Sequence, residues 1–239
     1  MPILAILILS LLSPNALRAD DDEAAVDAAA AQILERYFEA TRSQQEYLKG
    51  HAMEAEFEAK VPSLNRASKL QALRYISKLG RITYRVLASQ GDNGVKKEVI
   101  VRYIQQEMDD ARKRGIGINH ENYKFKYRGE IDNGWKLHLF ELIPKEKRVG
   151  LFRGWLWVEA KNGSAVREQG EFVKSPSLWL RKITFLRDYE MRDKVSVPAK
   201  IETHIETRVV GPAELIIRFS NLQEAEPPAE PPTIATNEP

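Results

Sequence analysis

Gly150-Leu151-Phe152-Arg153-Gly154-Trp155-Leu156-Trp157-Val158-Glu159, followed by Ala160-Lys161-Asn162-Gly163-Ser164 and Ala165-Val166-Arg167, is the stretch that decides the fold. Asn-Gly between two alternating runs is a strong hairpin signal, so the two runs are antiparallel neighbours. Side chains on a strand alternate between faces, which puts Phe152, Leu156 and Val158 on one side and Trp155 and Trp157 on the other. Both sides are apolar. Such a strand needs cover twice, from helices on one face and from further protein, a lid or a ligand on the other.

The same grammar extends in both directions. Downstream, Ile183–Met191 ends near Asp193-Lys194, Val195 to Val209 alternates, and Leu215, Ile217 and Phe219 mark a last strand. Upstream, Asp132-Asn133-Gly134 joins Tyr123–Ile131 to Trp135–Ile143 in a second hairpin. Ala30, Ile33, Leu34, Tyr37, Phe38 and Thr41 follow helical spacing within 23–47, whereas Met53, Ala55, Phe57, Ala59 and Val61 alternate with acids and a lysine. The three-residue spacing of Leu70, Leu73, Ile76 and Leu79 predicts a helix over 63–79. Ile82 to Ala88 reads as a strand, and Val95, Val99, Ile100, Tyr103, Ile104 and Met108 predict a helix that stops at Gly115. The fold class is α+β, mainly antiparallel β, in one domain over 20–222.

The first nineteen residues have a different character. An apolar run from Ile3 to Leu12 precedes Ser13-Pro14-Asn15-Ala16-Leu17-Arg18-Ala19 and the acids Asp20 to Glu23, a signal-peptide pattern with cleavage expected after Ala19. Export places the product in the periplasm. At the other end, 223–239 is acidic and rich in paired prolines, a composition that predicts a disordered tail. Setting aside the eight acids of these two ends and Arg18, 34 acids and 36 bases become a basic body with a net charge of +9. Anionic partners follow from that balance, with plain solubility as the simpler explanation.

Several chemistries are excluded by composition and spacing. With no cysteine there is no disulfide, thiolate nucleophile or thiolate metal site. His51, His120, His138 and His204 have no spacing that places two metal ligands on one face. Ser164 sits in a hairpin turn rather than a nucleophile elbow, and no phosphate-cradling glycine loop occurs. No cofactor is expected. Aromatics lie among the bases of 145–192 as they do in nucleic-acid grooves, but export argues against that partner.

Beyond these patterns, 47–221 resembles the outer-membrane lipoprotein-sorting (LolA-like) superfamily. The element that carries the resemblance is Leu156-Trp157-Val158-Glu159, a short turn and the return strand Ala165-Val166-Arg167, with Thr184-Phe185-Leu186-Arg187-Asp188-Tyr189 and Val197-Pro198-Ala199-Lys200-Ile201 as later strands. Ala165 stands where a proline is usual, and the helix over 95–114 is an addition. The resemblance implies a curved half-open barrel whose helices form a lid over an apolar cavity for acyl chains, and it implies no catalysis. A monomeric periplasmic carrier or chaperone for lipid or lipoprotein is the leading expectation, with contact to an inner- or outer-membrane protein. The alternatives are an envelope sensor or scaffold that binds a protein through the half-barrel, and an envelope hydrolase. For the carrier, Met53, Phe57, Tyr84, Trp155 and Trp157 are the candidate cavity residues, and Arg153 and Arg187 the candidate headgroup or partner contacts.

Overall fold

A computed structural model describes residues 14–112, 115–132, 134, 136–193, 195–209 and 211–225. The segment 1–13, which holds the apolar run, and 226–239, most of the acidic proline-rich end, lie outside the described residues. Helix α1 spans Pro14–Leu48 and is followed by strands β1 (His51–Val61), β2 (Arg66–Ile76) and β3 (Ile82–Gly91). A continuous helical stretch comes next: α2 (Asn93–Val95), a π-helical segment Lys96–Val101, and α3 (Arg102–Arg112). Seven strands complete the chain: β4 (Tyr123–Asp132), β5 (Lys136–Pro144), β6 (Phe152–Glu159), β7 (Ala165–Phe172), β8 (Leu180–Arg192), β9 (Val195–Thr207) and β10 (Pro212–Glu224).

All ten strands form one antiparallel sheet in the order β3-β2-β1-β10-β9-β8-β7-β6-β5-β4. It stays open, with β3 and β4 as its edges, so the residues 93–112 cross from one edge strand to the other. Asp92 starts this crossover helix by accepting a hydrogen bond from the Val95 amide at 2.8 Å, which satisfies one of the donors a helix leaves unpaired at its start. The two Asn-Gly hairpins fall where the sequence puts them, and this half-open sheet with its helical cover is the expected α+β architecture.

The helix expected over 63–79 is instead β2, paired to β1 on one side and β3 on the other. Its buried residues include Ser68, Leu70, Ala72, Arg74 and Ile76, a period of two that the polar Ser68 and Arg74 conceal. Leu79, the last member of the three-residue pattern, is 82% exposed in the β2–β3 turn. At the far end β10 runs two residues past Leu222, where Gln223 and Glu224 pair with Ala52 and His51.

One ladder row shows how the inner face is divided. Leu70, Phe57, Ile217, Ile201, Arg187, Glu168, Leu156, Phe140 and Tyr127 are successive cross-strand partners from β2 to β4, so all nine share a face. Apolar residues occupy both ends of the row and an ion pair sits between them. On one side β1, β2, β9 and β10 pack against Val95, Ile100 and Ile104 of the crossover helix. On the other, β5, β6 and β8 pack against Ala30, Ile33, Leu34 and Tyr37 of α1. Burying a side chain such as Phe57 or Phe140, each fully enclosed, contributes about 1.5–3 kcal/mol.

Gly163 lets α1 dock. Its φ of 72° suits glycine, and an added Cβ would lie 2.6 Å from the Arg36 carbonyl carbon. Arg36 donates a hydrogen bond to the Ala160 carbonyl at 3.0 Å, which ties the helix to the β6–β7 turn. Near its other end, Tyr47 donates to Asp193 at 2.9 Å in the β8–β9 turn.

Candidate functional site

The crossover helix lies over a largely apolar cavity of about 720 Å³. Val95, Val99 and Tyr103 form its helical wall; Ile183, Thr203, Ile205, Ala213 and Leu215 form its floor on β8, β9 and β10. Val61, Leu64, Pro176 and Trp179 bound it where the strand-connecting turns gather. Ligand cavities generally hold about 300–1,000 Å³. Val99 of the π-wound segment and Tyr103 of α3 face this floor across the space. π-helical turns often occur at functional sites.

A buried polar latch holds the helix on the sheet. Arg74 of β2 donates to Glu107 Oε1 of α3 from Nε at 3.1 Å and from Nη2 at 2.8 Å, and the Tyr84 hydroxyl donates to Glu107 Oε2. Burial by itself would raise the Glu107 carboxyl, but the Arg74 guanidinium and the Tyr84 hydroxyl outweigh it, and the net shift is downward. Burial, reinforced by the Glu107 charge, raises Tyr84 well above its ordinary value and keeps it a donor.

The ion pair between the two apolar halves is a second network. Arg187 donates from Nη1 to Glu168 Oε2 at 2.9 Å, and Tyr189 donates to Glu168 Oε1 at 2.7 Å. Arg187 Nε is buried without a hydrogen-bond partner. Among the described residues no group of three or more His, Asp or Glu could hold a metal ion.

None of the seven residues singled out from sequence lines the cavity. Met53, Phe57 and Tyr84 lie on the inner face as one buried group beside it; Phe57 backs the Tyr103 wall with ring centroids 6.1 Å apart. Arg187 shares that face but is engaged by Glu168. Trp155, Trp157 and Arg153 do not join them. Their neighbours Leu156 and Gly154 belong to the inner row, so alternation places all three on the outer face, where Trp155 and Arg153 border a separate shallow hollow. Sequence reasoning missed Val99, Tyr103, Ile205, Ala213 and Leu215 as a set, although all but Ala213 stand in patterns it had recognised.

No family model and no curated protein matches this chain. Solved structures do. A LolA superfamily protein from Nitrosomonas europaea aligns at a TM-score of 0.42 and 12% identity, covering 83% of this chain and 94% of that one. The outer-membrane lipoprotein-sorting protein domain from Vibrio parahaemolyticus, a name given to it provisionally, aligns at 0.41 and 12%, covering 80% and 91%. A DUF1329 family protein from Desulfovibrio piger aligns at 0.39 and 17%, covering 80% and 92%. What the chain does is therefore argued from its own geometry.

Proposed function

We propose that this protein is a binding protein of the bacterial cell envelope that holds the acyl chain of a lipid or lipoprotein beneath its crossover helix. The observation that carries the reading is the cavity: an apolar volume of about 720 Å³, walled by one helix, that the chain leaves unfilled. Charged groups at its border are paired, Arg66 with Asp92 at 3.6 Å and Arg102 with Glu98 at 2.7 Å, while Val99, Ile183, Ile205 and Leu215 suit a hydrocarbon. The signal-peptide pattern adds the compartment, since an acyl chain crossing the periplasm needs shelter from water. Met53, Phe57 and Tyr84 support the wall from behind, and Arg187 is the cation nearest in role to a headgroup contact once Glu168 is displaced.

The test is native mass spectrometry with lipid extraction on protein isolated from its own envelope, beside an Ile205→Trp variant that fills the floor. Wild type is expected to carry lipid or acylated peptide and the variant to be folded and empty. An empty wild type that instead captures an envelope protein would overturn the carrier in favour of a protein-binding half-barrel.

A further inference from the structure

The cavity opens toward the end of the sheet where three connections meet: the β1–β2 turn, the β7–β8 loop and the β9–β10 turn. Four of the ten exposed large hydrophobic residues among those described stand there. Leu178 is 90% exposed, Val209 71% and Trp179 68%, and Leu64 is the fourth. Water-facing apolar groups gathered at one place are costly unless something covers them.

These groups are held out by an ordered scaffold. Ser175 Oγ donates to the Ser177 carbonyl at 2.8 Å, and the Trp179 amide donates to Ser177 Oγ at 3.3 Å. Arg208 clamps the loop from the next turn: its amide donates to the Trp179 carbonyl at 3.0 Å and its Nε to the Leu178 carbonyl at 2.9 Å. Gly211 in turn lies against Ser63, so the three connections form one continuous rim. Backbone and side-chain donors here are spent on presenting Leu178 and Trp179 outward.

Charge decides what the rim faces. The segments 62–66, 173–182 and 208–211 contain Arg66, Lys174, Arg181, Lys182 and Arg208 and no acid; Arg66 is paired with Asp92 at 3.6 Å and Lys182 with Glu171 at 3.2 Å, so Lys174, Arg181 and Arg208 carry the positive surplus. An apolar tip ringed by cations is complementary to an anionic lipid surface, where apolar side chains enter the acyl boundary and lysines and arginines meet phosphates. Tryptophan favours that interface.

We infer that this rim docks on an anionic phospholipid bilayer, inserting Leu178, Trp179 and Val209 so that the cavity mouth faces the lipid. The inference rests on the carrier reading for its purpose, but it stands or falls on its own measurement. Because the chain has no cysteine, Leu178→Cys provides a single attachment point for a polarity-sensitive fluorophore, and Leu79→Cys provides one at the opposite end of the sheet.

Added vesicles of phosphatidylethanolamine with phosphatidylglycerol are expected to shift the label at 178 to the blue and leave the label at 79 unmoved. Vesicles of phosphatidylcholine alone should give little shift, and salt on the order of 0.5 M should weaken the anionic response. In flotation of the full chain, Leu178→Glu with Trp179→Glu is expected to lower the bound fraction about tenfold, with the N-terminal apolar run common to both proteins. Equal shifts at 178 and 79, equal shifts on neutral and anionic vesicles, or a rim label that responds only to self-association would each overturn the inference. Extracted lipid in the double-glutamate variant reports the cavity separately: cargo retained with docking lost supports both readings, and docking retained with no cargo sinks only the carrier.

Discussion

The two halves of the inner face solve the same packing problem differently. Beneath α1 the buried set includes Tyr37, Tyr123, Phe140, Phe152 and Phe185, and its rings lock edge to face, as Phe152 and Phe185 do at 4.8 Å. Beneath the crossover helix the sheet contributes Phe57, Leu70, Tyr84 and Ile217 together with Ala55, Ala59, Ala72 and Ala213, and the helix is held by Val95, Ile100 and Ile104 and by the Arg74–Glu107–Tyr84 latch. One half is filled by rings from both layers, and the other leaves a cavity over β8, β9 and β10. An ion pair between Arg187 and Glu168 separates them, so the filled half and the open site are parts of one sheet.

The sharpest way to break this contrast is to delete volume from each half. Phe140→Ala is expected to cost about 3–5 kcal/mol in urea unfolding, because the packed ring layer cannot close over the void. Ile205→Ala, at the edge of existing space, is expected to cost about 1 kcal/mol or less, since its side chain has fewer neighbours to lose. Equal costs would mean that the two halves are packed alike in solution.

Glu107→Gln sharpens the comparison at the latch. Removing the carboxylate leaves Arg74 buried beside a neutral amide, and a loss of about 2 kcal/mol is expected; partial exposure of Glu107 keeps it below the cost of a wholly buried pair. The loss should be local, appearing as faster hydrogen exchange in α3 with the α1 half unchanged. Glu107 has a folded pKa below its ordinary value, so its stabilisation is complete above the unfolded carboxyl value of about 4.3 and is lost as pH falls through the lower folded value. Acidification through that window should therefore loosen α3 in wild type and add little in the variant.

The same latch explains what was legible in the sequence. Hairpins at Asp132-Asn133-Gly134 and Lys161-Asn162-Gly163-Ser164 carry their own turn chemistry, so strands β4 to β7 could be read locally. Strand β2 could not. Arg74 occupies an inward position because Glu107, thirty-three residues onward, neutralises it there, and a window around Arg74 sees a charge that belongs outside. Trp155 and Trp157 misled for a related reason. Both faces of β6 are apolar, and only the pairing of Leu156 with Glu168 and Phe140 fixes which one turns inward. The cavity residues were hardest, since they come from the crossover helix and from strands as far apart in sequence as β1 and β10, which converge only in the folded sheet.

The difference between Gly163→Ala and Gly80→Ala, about 1 kcal/mol, is small and isolates the α1 contact. Gly163→Ala places a Cβ at positive φ and within 2.6–2.8 Å of Arg36, so either the β6–β7 turn or the helix must shift. Gly80, with φ of 77° in the β2–β3 turn, has nothing within 4 Å of an added Cβ, so Gly80→Ala carries a similar backbone cost without the collision. We expect Gly80→Ala to lose about 1 kcal/mol and Gly163→Ala about 2, both by urea titration. The difference between the two is the cost of displacing α1. Cargo should remain bound in both variants, because α1 covers the filled half and the cavity lies under the crossover helix; loss of cargo in Gly163→Ala alone would show that the two halves open together across the Arg187–Glu168 pair.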